Sequence, residues 1–146
     1  MQSYELGYRF KRIHEYFKAN GNKRAKKFDL TKTQMDILFY LFANYGKEVT
    51  QRELEVHHAI KHSTVNGILG RMEKNGFIEI SVSNEDRRQR IVRLLDRAYD
   101  VRNECEKQHK YIENKFAEKF SIEELECLTR LLDKTYDILS EDIEND

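Results

Sequence analysis

Residues 51–94 read QRELEVHHAI KHSTVNGILG RMEKNGFIEI SVSNEDRRQR IVRL. Thr50 with Glu53 forms a capping box that opens a short helix through Leu54 and Val56. After a turn, a second amphipathic helix is predicted from about His62 to Asn75. Its apolar stripe, Val65, Ile68, Leu69 and Met72, falls in one narrow sector of a 3.6-residue wheel. Gly76 sits just past its end, where a left-handed cap is expected. Ile78-Glu79-Ile80-Ser81-Val82 then alternates like a strand, and Ile91-Val92-Arg93-Leu94 returns like its partner. Between them lies a tip with three arginines in four residues, Asn84-Glu85-Asp86-Arg87-Arg88-Gln89-Arg90. A helix sized for the major groove, followed by a hairpin with a cationic tip, suits the reading of duplex DNA.

Outward from this segment the chain reads as helical. Leu6, Phe10, Ile13 and Phe17 mark a first amphipathic helix over residues 4–19, with Ala19-Asn20-Gly21-Asn22 as its stop and a basic loop (Lys23, Arg24, Lys26, Lys27) after it. Thr31 caps the next helix, which carries Met35, Ile37, Leu38, Leu41 and Phe42 and ends at Tyr45-Gly46. Two long helices finish the chain. One runs from about Asp96 to Phe120 on a stripe of Ala98, Val101, Cys105, Ile112 and Phe116. The other begins at Ser121, boxed with Glu124, and uses Leu125, Leu128, Leu131, Leu132, Ile138 and Leu139. The terminal helices offer more apolar surface than a small core covers, so either they pack within the chain or, as expected here, both chain ends build a dimer interface. The fold class is therefore mainly α with a small β-hairpin wing.

Composition narrows the classes. The 146 residues suit one domain, and 39% apolar content without proline fits a folded helical chain. No run reaches the 18 apolar residues of a membrane span and Met1 leads into no signal peptide, so a cytoplasmic protein without membrane association is expected. Cys105 and Cys127 form no CxxC pair, which indicates neither a disulfide framework nor a thiolate zinc site. The net charge of zero hides an asymmetry: residues 1–95 hold 18 Lys/Arg against 11 Asp/Glu (+7), and residues 96–146 hold 8 against 15 (−7). Such runs are often only solvated faces, but a basic front half also suits a surface presented to phosphates.

With its stripe turned inward, the second helix of the opening segment shows Ser63, Asn66, Gly67, Gly70, Arg71 and Lys74. Gly67 and Gly70 each cost about 1 kcal/mol against alanine in a helix. Either they have drifted at tolerant positions or they let the backbone approach a groove wall. Asn66 and Arg71 can pair with adenine and guanine edges. Ser63 and Thr64 can reach bases or phosphates, and His62 and Lys74 phosphates. At the tip, Arg87, Arg88 and Arg90 repel one another without an anion nearby. Glu85 and Asp86 partly offset this, and Asp86 is placed to brace the Arg88 guanidinium. A braced arginine fits a narrow minor groove; the plainer alternative is a solvated turn.

Thr50–Leu94 resembles the winged helix-turn-helix of the MarR family of bacterial transcription regulators. The likeness rests on Gln51-Arg52-Glu53-Leu54, Ser63-Thr64-Val65, Arg71-Met72-Glu73-Lys74-Asn75-Gly76-Phe77-Ile78, and Asp86-Arg87-Arg88 followed by Val92-Arg93-Leu94. Helix order and length extend it over nearly the whole chain. It implies a single domain over 1–146, with a DNA-binding lobe at 31–95 and dimerisation helices at 1–20 and 96–146. It further implies a homodimer, a repressor, on a pseudo-palindromic operator, with recognition helices in major grooves and wings in minor grooves. Arg88 is then the minor-groove arginine and Asp86 its brace. Family members usually have serine where Lys61 stands, so Ser63 is expected to cap the recognition helix here.

The resemblance also implies a small aromatic or carboxylate effector in a cleft beside the dimer helices. Tyr8, Phe10, Phe39 and Phe42, with Arg12 or His14 as polar partners, are candidates to line it, although aromatics at helical spacing are more often core. No cofactor is expected. Redox sensing is not expected either, since the first helix lacks cysteine and Cys105 lies on an apolar stripe. His58 and His62 have metal-ligand spacing only if one helix carries both, and a turn is predicted between them. No glycine-rich phosphate loop or nucleophile–base pair argues for an enzyme. The alternative function is a winged-helix module whose wing meets an acidic protein surface.

Overall fold

The computed structural model describes residues 4–144. The outermost residues of the spans expected at 1–20 and 96–146, namely 1–3 and 145–146, lie outside the described residues. Six helices and three strands follow in the order α1 (Tyr4–Lys27), α2 (Lys32–Ala43), β1 (Val49–Thr50), α3 (Gln51–His57), α4 (His62–Lys74), β2 (Ile78–Val82), β3 (Arg90–Leu94), α5 (Asp96–Lys119) and α6 (Ile122–Glu144). The chain divides into two compact units between Glu104 and Cys105, α5 running through the division.

The core of the first unit is built from the predicted stripes. Ile37 and Leu38 of α2, Leu54 of α3, and Val65, Leu69 and Met72 of α4 are all fully buried, as is Phe77 in the turn before β2. The predicted Thr31 cap and the predicted Thr50–Glu53 box both form, and Gln34 makes the first a full capping box as well. Thr31 Oγ1 accepts from the Gln34 amide while Gln34 reaches back to Thr31, and Thr50 and Glu53 do the same. Three helices end alike, each by two backbone bonds returning over the last turn. Leu30 N–H bonds to Ala25 C=O after α1, Ile60 to Glu55 after α3, and Phe77 to Met72 after α4. The geometry needs one left-handed residue. Gly76 supplies it after α4 (φ 78°), but Asp29 (φ 54°) and Ala59 (φ 51°) take it at the other two ends.

Three expectations are corrected. The first helix does not stop at Ala19–Asn22 but continues to Lys27. Asn20 turns its amide back onto Tyr16 C=O at 2.9 Å, so it completes the helix it was expected to end. The Arg24, Lys26 and Lys27 expected in a loop form the last turn, where cations meet the negative end of the helix dipole. The sheet has three strands rather than two, in the order β1-β3-β2, because Val49 and Thr50 pair antiparallel with Val92 and Ile91. Finally, Ser63 does not cap α4. The helix starts at His62 behind Lys61, which makes no side-chain cap.

In the second unit Ser121 Oγ accepts from the Glu124 amide and the Glu124 carboxylate from the Ser121 amide, the box expected at the start of α6. Ile122, Leu131, Leu132, Ile138 and Leu139 of α6 are exposed. Among the described residues no helix is long and apolar enough to cross a membrane.

Candidate nucleic-acid interface

α4 and the β2–β3 hairpin are side by side in the first unit. The buried stripe of α4 leaves His62, Ser63, Thr64, Gly67, Gly70, Arg71 and Lys74 exposed and Asn66 half-buried. A Cβ built on Gly70 would meet nothing within 4 Å, and on Gly67 only the Arg71 Nη1 at 3.7 Å. The packing of the fold therefore requires glycine at neither position.

The hairpin pairs Ile78 with Leu94 through to Val82 with Arg90. Beyond that register the tip is shaped by a buried serine and one carboxylate. Ser83 Oγ accepts from the amides of Glu85 and Asp86, and Ser83 N–H bonds to Gln89 C=O. Asp86 Oδ1 accepts from the Arg88 backbone amide at 3.0 Å, and Asp86 C=O from the Gln89 amide. The brace expected between Asp86 and the Arg88 guanidinium is thus a bond to the Arg88 main chain: Asp86 orients the turn and leaves the guanidinium exposed. Arg87, Arg88 and Arg90 are all exposed.

A polar cluster that the sequence did not announce joins α3, α4 and the wing. Its members are Gln51 and Glu55, one turn apart on α3 and both buried, His62 and Asn66, one turn apart on α4, and Arg90 of β3. His62 Nδ1 lies 2.5 Å from Glu55 Oε1, and Arg52 Nη1 is 3.2 Å from Glu55 Oε2. Gln51 Nε2 donates to Glu55 Oε1 (3.2 Å) and to Asn66 Oδ1 (2.6 Å), and Arg90 Nη1 donates to the same Asn66 oxygen at 2.9 Å. Burial pulls the Glu55 carboxyl upward, but hydrogen bonds from His62, then Gln51 and Arg52, together with the His62 charge, outweigh it and hold the group below its ordinary value. A cavity of about 350 Å³ opens beside this cluster, with Arg52, His62, Arg88 and Arg90 on its lining. The one available hint was the i, i+4 spacing of Gln51 and Glu55 on a short amphipathic helix.

The residues proposed for an effector are less concentrated. Phe42 packs edge-on against Tyr99, ring centres 5.4 Å apart, beneath the Arg102 guanidinium. Tyr8, Phe10, Arg12, His14 and Phe39 stand exposed. The 380 Å³ cavity of this unit is lined instead by Tyr45, Lys47, Glu48, Val92, Arg93 and Tyr99, among others. His58 ends α3 and His62 starts α4, with the left-handed Ala59 between them, so no continuous helix carries both.

Comparison with known proteins gives a consistent picture. The MarR family model matches residues 28–89. The transcription regulator MarR from Oenococcus oeni PSU-1 is 32% identical over 90% of this chain and 98% of its own, with a TM-score of 0.57. MepR from S. aureus, solved in complex with DNA, superposes with a TM-score of 0.77 over 91% of this chain and 98% of its own; at 23% identity this is a likeness of fold. The HTH-type transcriptional repressor IacR from Pseudomonas putida is 31% identical over 85 residues, 58% of this chain. That match spans half the length of the relative.

Proposed function

This chain belongs to the MarR family of transcriptional regulators, and we propose that it is a DNA-binding repressor acting as a homodimer on a pseudo-palindromic operator. The observation that carries the reading is the Asn66–Arg90 hydrogen bond, which joins the exposed face of α4 and the arginine-bearing wing into one cationic surface. His62, Ser63, Thr64, Asn66, Gly67, Gly70, Arg71 and Lys74 then face the major groove and its phosphates. Arg87 and Arg88 reach the flanking minor groove, with the turn held by Asp86. Gly67 and Gly70 let the helix backbone approach the groove wall. The DNA complex of MepR and the repressor function of IacR support the assignment by similarity.

The dimer is supported by the exposed apolar stripes of α1 and α6, including Leu6, Phe10, Ile13, Leu132 and Ile138. A small aromatic or carboxylate effector tunes operator affinity to the extent that it binds the DNA-competent and incompetent dimers unequally.

The test is selection from random duplex DNA by the purified protein at controlled salt. A pseudo-palindrome with two spaced half-sites is expected. Arg88→Ala should weaken binding to it by ten-fold or more and reduce the salt slope by about 1, with the melting temperature unchanged. Unaltered affinity would reject the wing assignment. Weak salt-sensitive binding without sequence enrichment would favour the protein-interaction module instead.

A further inference from the structure

We infer that Asn66 is locked by Gln51 and Arg90 as a donor-only reader, which selects the two-acceptor edge of guanine and rejects the mixed edge of adenine. The assignment rests on the DNA-binding reading above. It follows from the direction of every bond in the cluster. Arg90 has no acceptor, so the Asn66 atom 2.9 Å from its Nη1 must be the amide oxygen. The ionised Glu55 carboxylate has no donor, so the Gln51 atom 3.2 Å from it must be Nε2, and that nitrogen also meets Asn66 at 2.6 Å. Both arguments place Oδ1 of Asn66 between two donors. Turning the Gln51 amide over would set its oxygen against a carboxylate and against Asn66 Oδ1. The observed orientation is kept even though Gln51 Oε1 is buried without a hydrogen-bond partner among the described residues.

Both lone pairs of Asn66 Oδ1 are thereby used inside the protein. Its Nδ2, with two N–H donors, has no partner among the described residues. Asparagine normally reads adenine with both ends of the amide, accepting from N6–H and donating to N7. Here only the donating end is left. Guanine presents two acceptors, N7 and O6, to one NH2 group. Adenine offers N7 but adds an N6–H donor that finds no acceptor, and cytosine offers an N4–H donor. Gln51 and Arg90 are the positioning residues, and the adenine pairing expected from the residue type alone is replaced by a guanine pairing.

The experiment is the same selection, run with the full chain and two variants, each checked by thermal melting. For the wild type, one position per half-site should require guanine. Asn66→Asp keeps the shape and the bonds from Gln51 and Arg90 but presents an acceptor, so that position alone should turn from guanine to cytosine, by about ten-fold or more. Arg90→Met, an exposed site, frees one Oδ1 lone pair, so adenine should become tolerated there beside guanine. Adenine at the Asn66-dependent position of the wild type overturns the inference while leaving the DNA-binding reading intact. So does a variant that loses affinity equally for every base. Failure of the wild type to enrich any site overturns both.

Discussion

Ala59 holds a left-handed backbone angle that an L side chain adopts at a cost of about 1 kcal/mol or more. It does so because Ile60 N–H must return to Glu55 C=O for α3 to end inside a four-residue connection to α4. Ala59→Gly relieves that strain, offset by the entropy glycine adds to the unfolded chain. A net gain of about 0.5–1 kcal/mol is expected, read as a higher denaturant midpoint at unchanged slope and equal protein concentration. A lower midpoint would mean that the Ala59 methyl packs better than its exposure suggests. This residue also shows where sequence reading stops. Gly76 announces a left-handed cap by its identity, whereas Ala59 and Asp29 are left-handed only because the chain on either side must return.

His58, beside it, is a second residue whose surroundings matter more than its type. Its ring meets those of His57 and Tyr40 edge to face, and its Nε2 is buried without a hydrogen-bond partner among the described residues. Burial first, then the His57 charge, lowers its pKa below the ordinary 6.5, against an opposing pull from Asp36. The unfolded chain therefore binds this proton more readily than the fold. Stability from a neutral His58 is complete above 6.5 and is lost as pH falls through the lowered folded value. His58→Phe keeps the ring and removes the titration, so its melting temperature should decline less than that of the wild type as pH falls below 6.5. Parallel pH profiles would exclude His58 as the source.

At the scale of elements, local rules worked where the chain closes its own hydrogen bonds. The cap at Thr31, the boxes at Thr50 and Ser121 and the stripe of α4 were legible because each is set within one or two turns. β1 was not: two residues carry no periodicity, and Val49–Thr50 is a strand only because β3 arrives from 40 residues later. The stop at Asn20–Gly21 failed for the converse reason. Buried Ala25 and Leu30 extend α1 past residues whose propensities favour a turn. The polar cluster was hidden because Gln51, Glu55 and Asn66 meet only once α3 and α4 cross. For α4 itself, Gly70→Ala should raise helix stability by up to about 1 kcal/mol, since the added methyl meets nothing. Operator affinity should fall at the same time if the groove wall passes there. Gain of stability with unchanged affinity would return Gly70 to the class of tolerated surface positions.

At the scale of the molecule, each chain exposes more large apolar side chains on α1 and α6 than an isolated monomer comfortably carries. The proposed dimer covers the α6 stripe, and an unpaired carboxylate within that stripe would oppose association. Leu132→Glu is expected to weaken self-association by about 100-fold, near 3 kcal/mol, measured by sedimentation across a dilution series. An undisturbed dimer would remove this part of α6 from the interface.

The bond between Asn66 and Arg90 has one more consequence. A two-stranded ribbon on its own is marginal in water, and Val82, beside the tip of the β2–β3 ribbon, is exposed. Because Arg90 is fastened to α4, and Asn66 through Gln51 to α3, the tip-side end of the paired ribbon cannot open without disturbing two helices. Slow amide exchange should therefore extend from α4 into the paired residues of β2 and β3 as one cooperative unit, leaving only the turn around Glu85–Arg88 to exchange on its own.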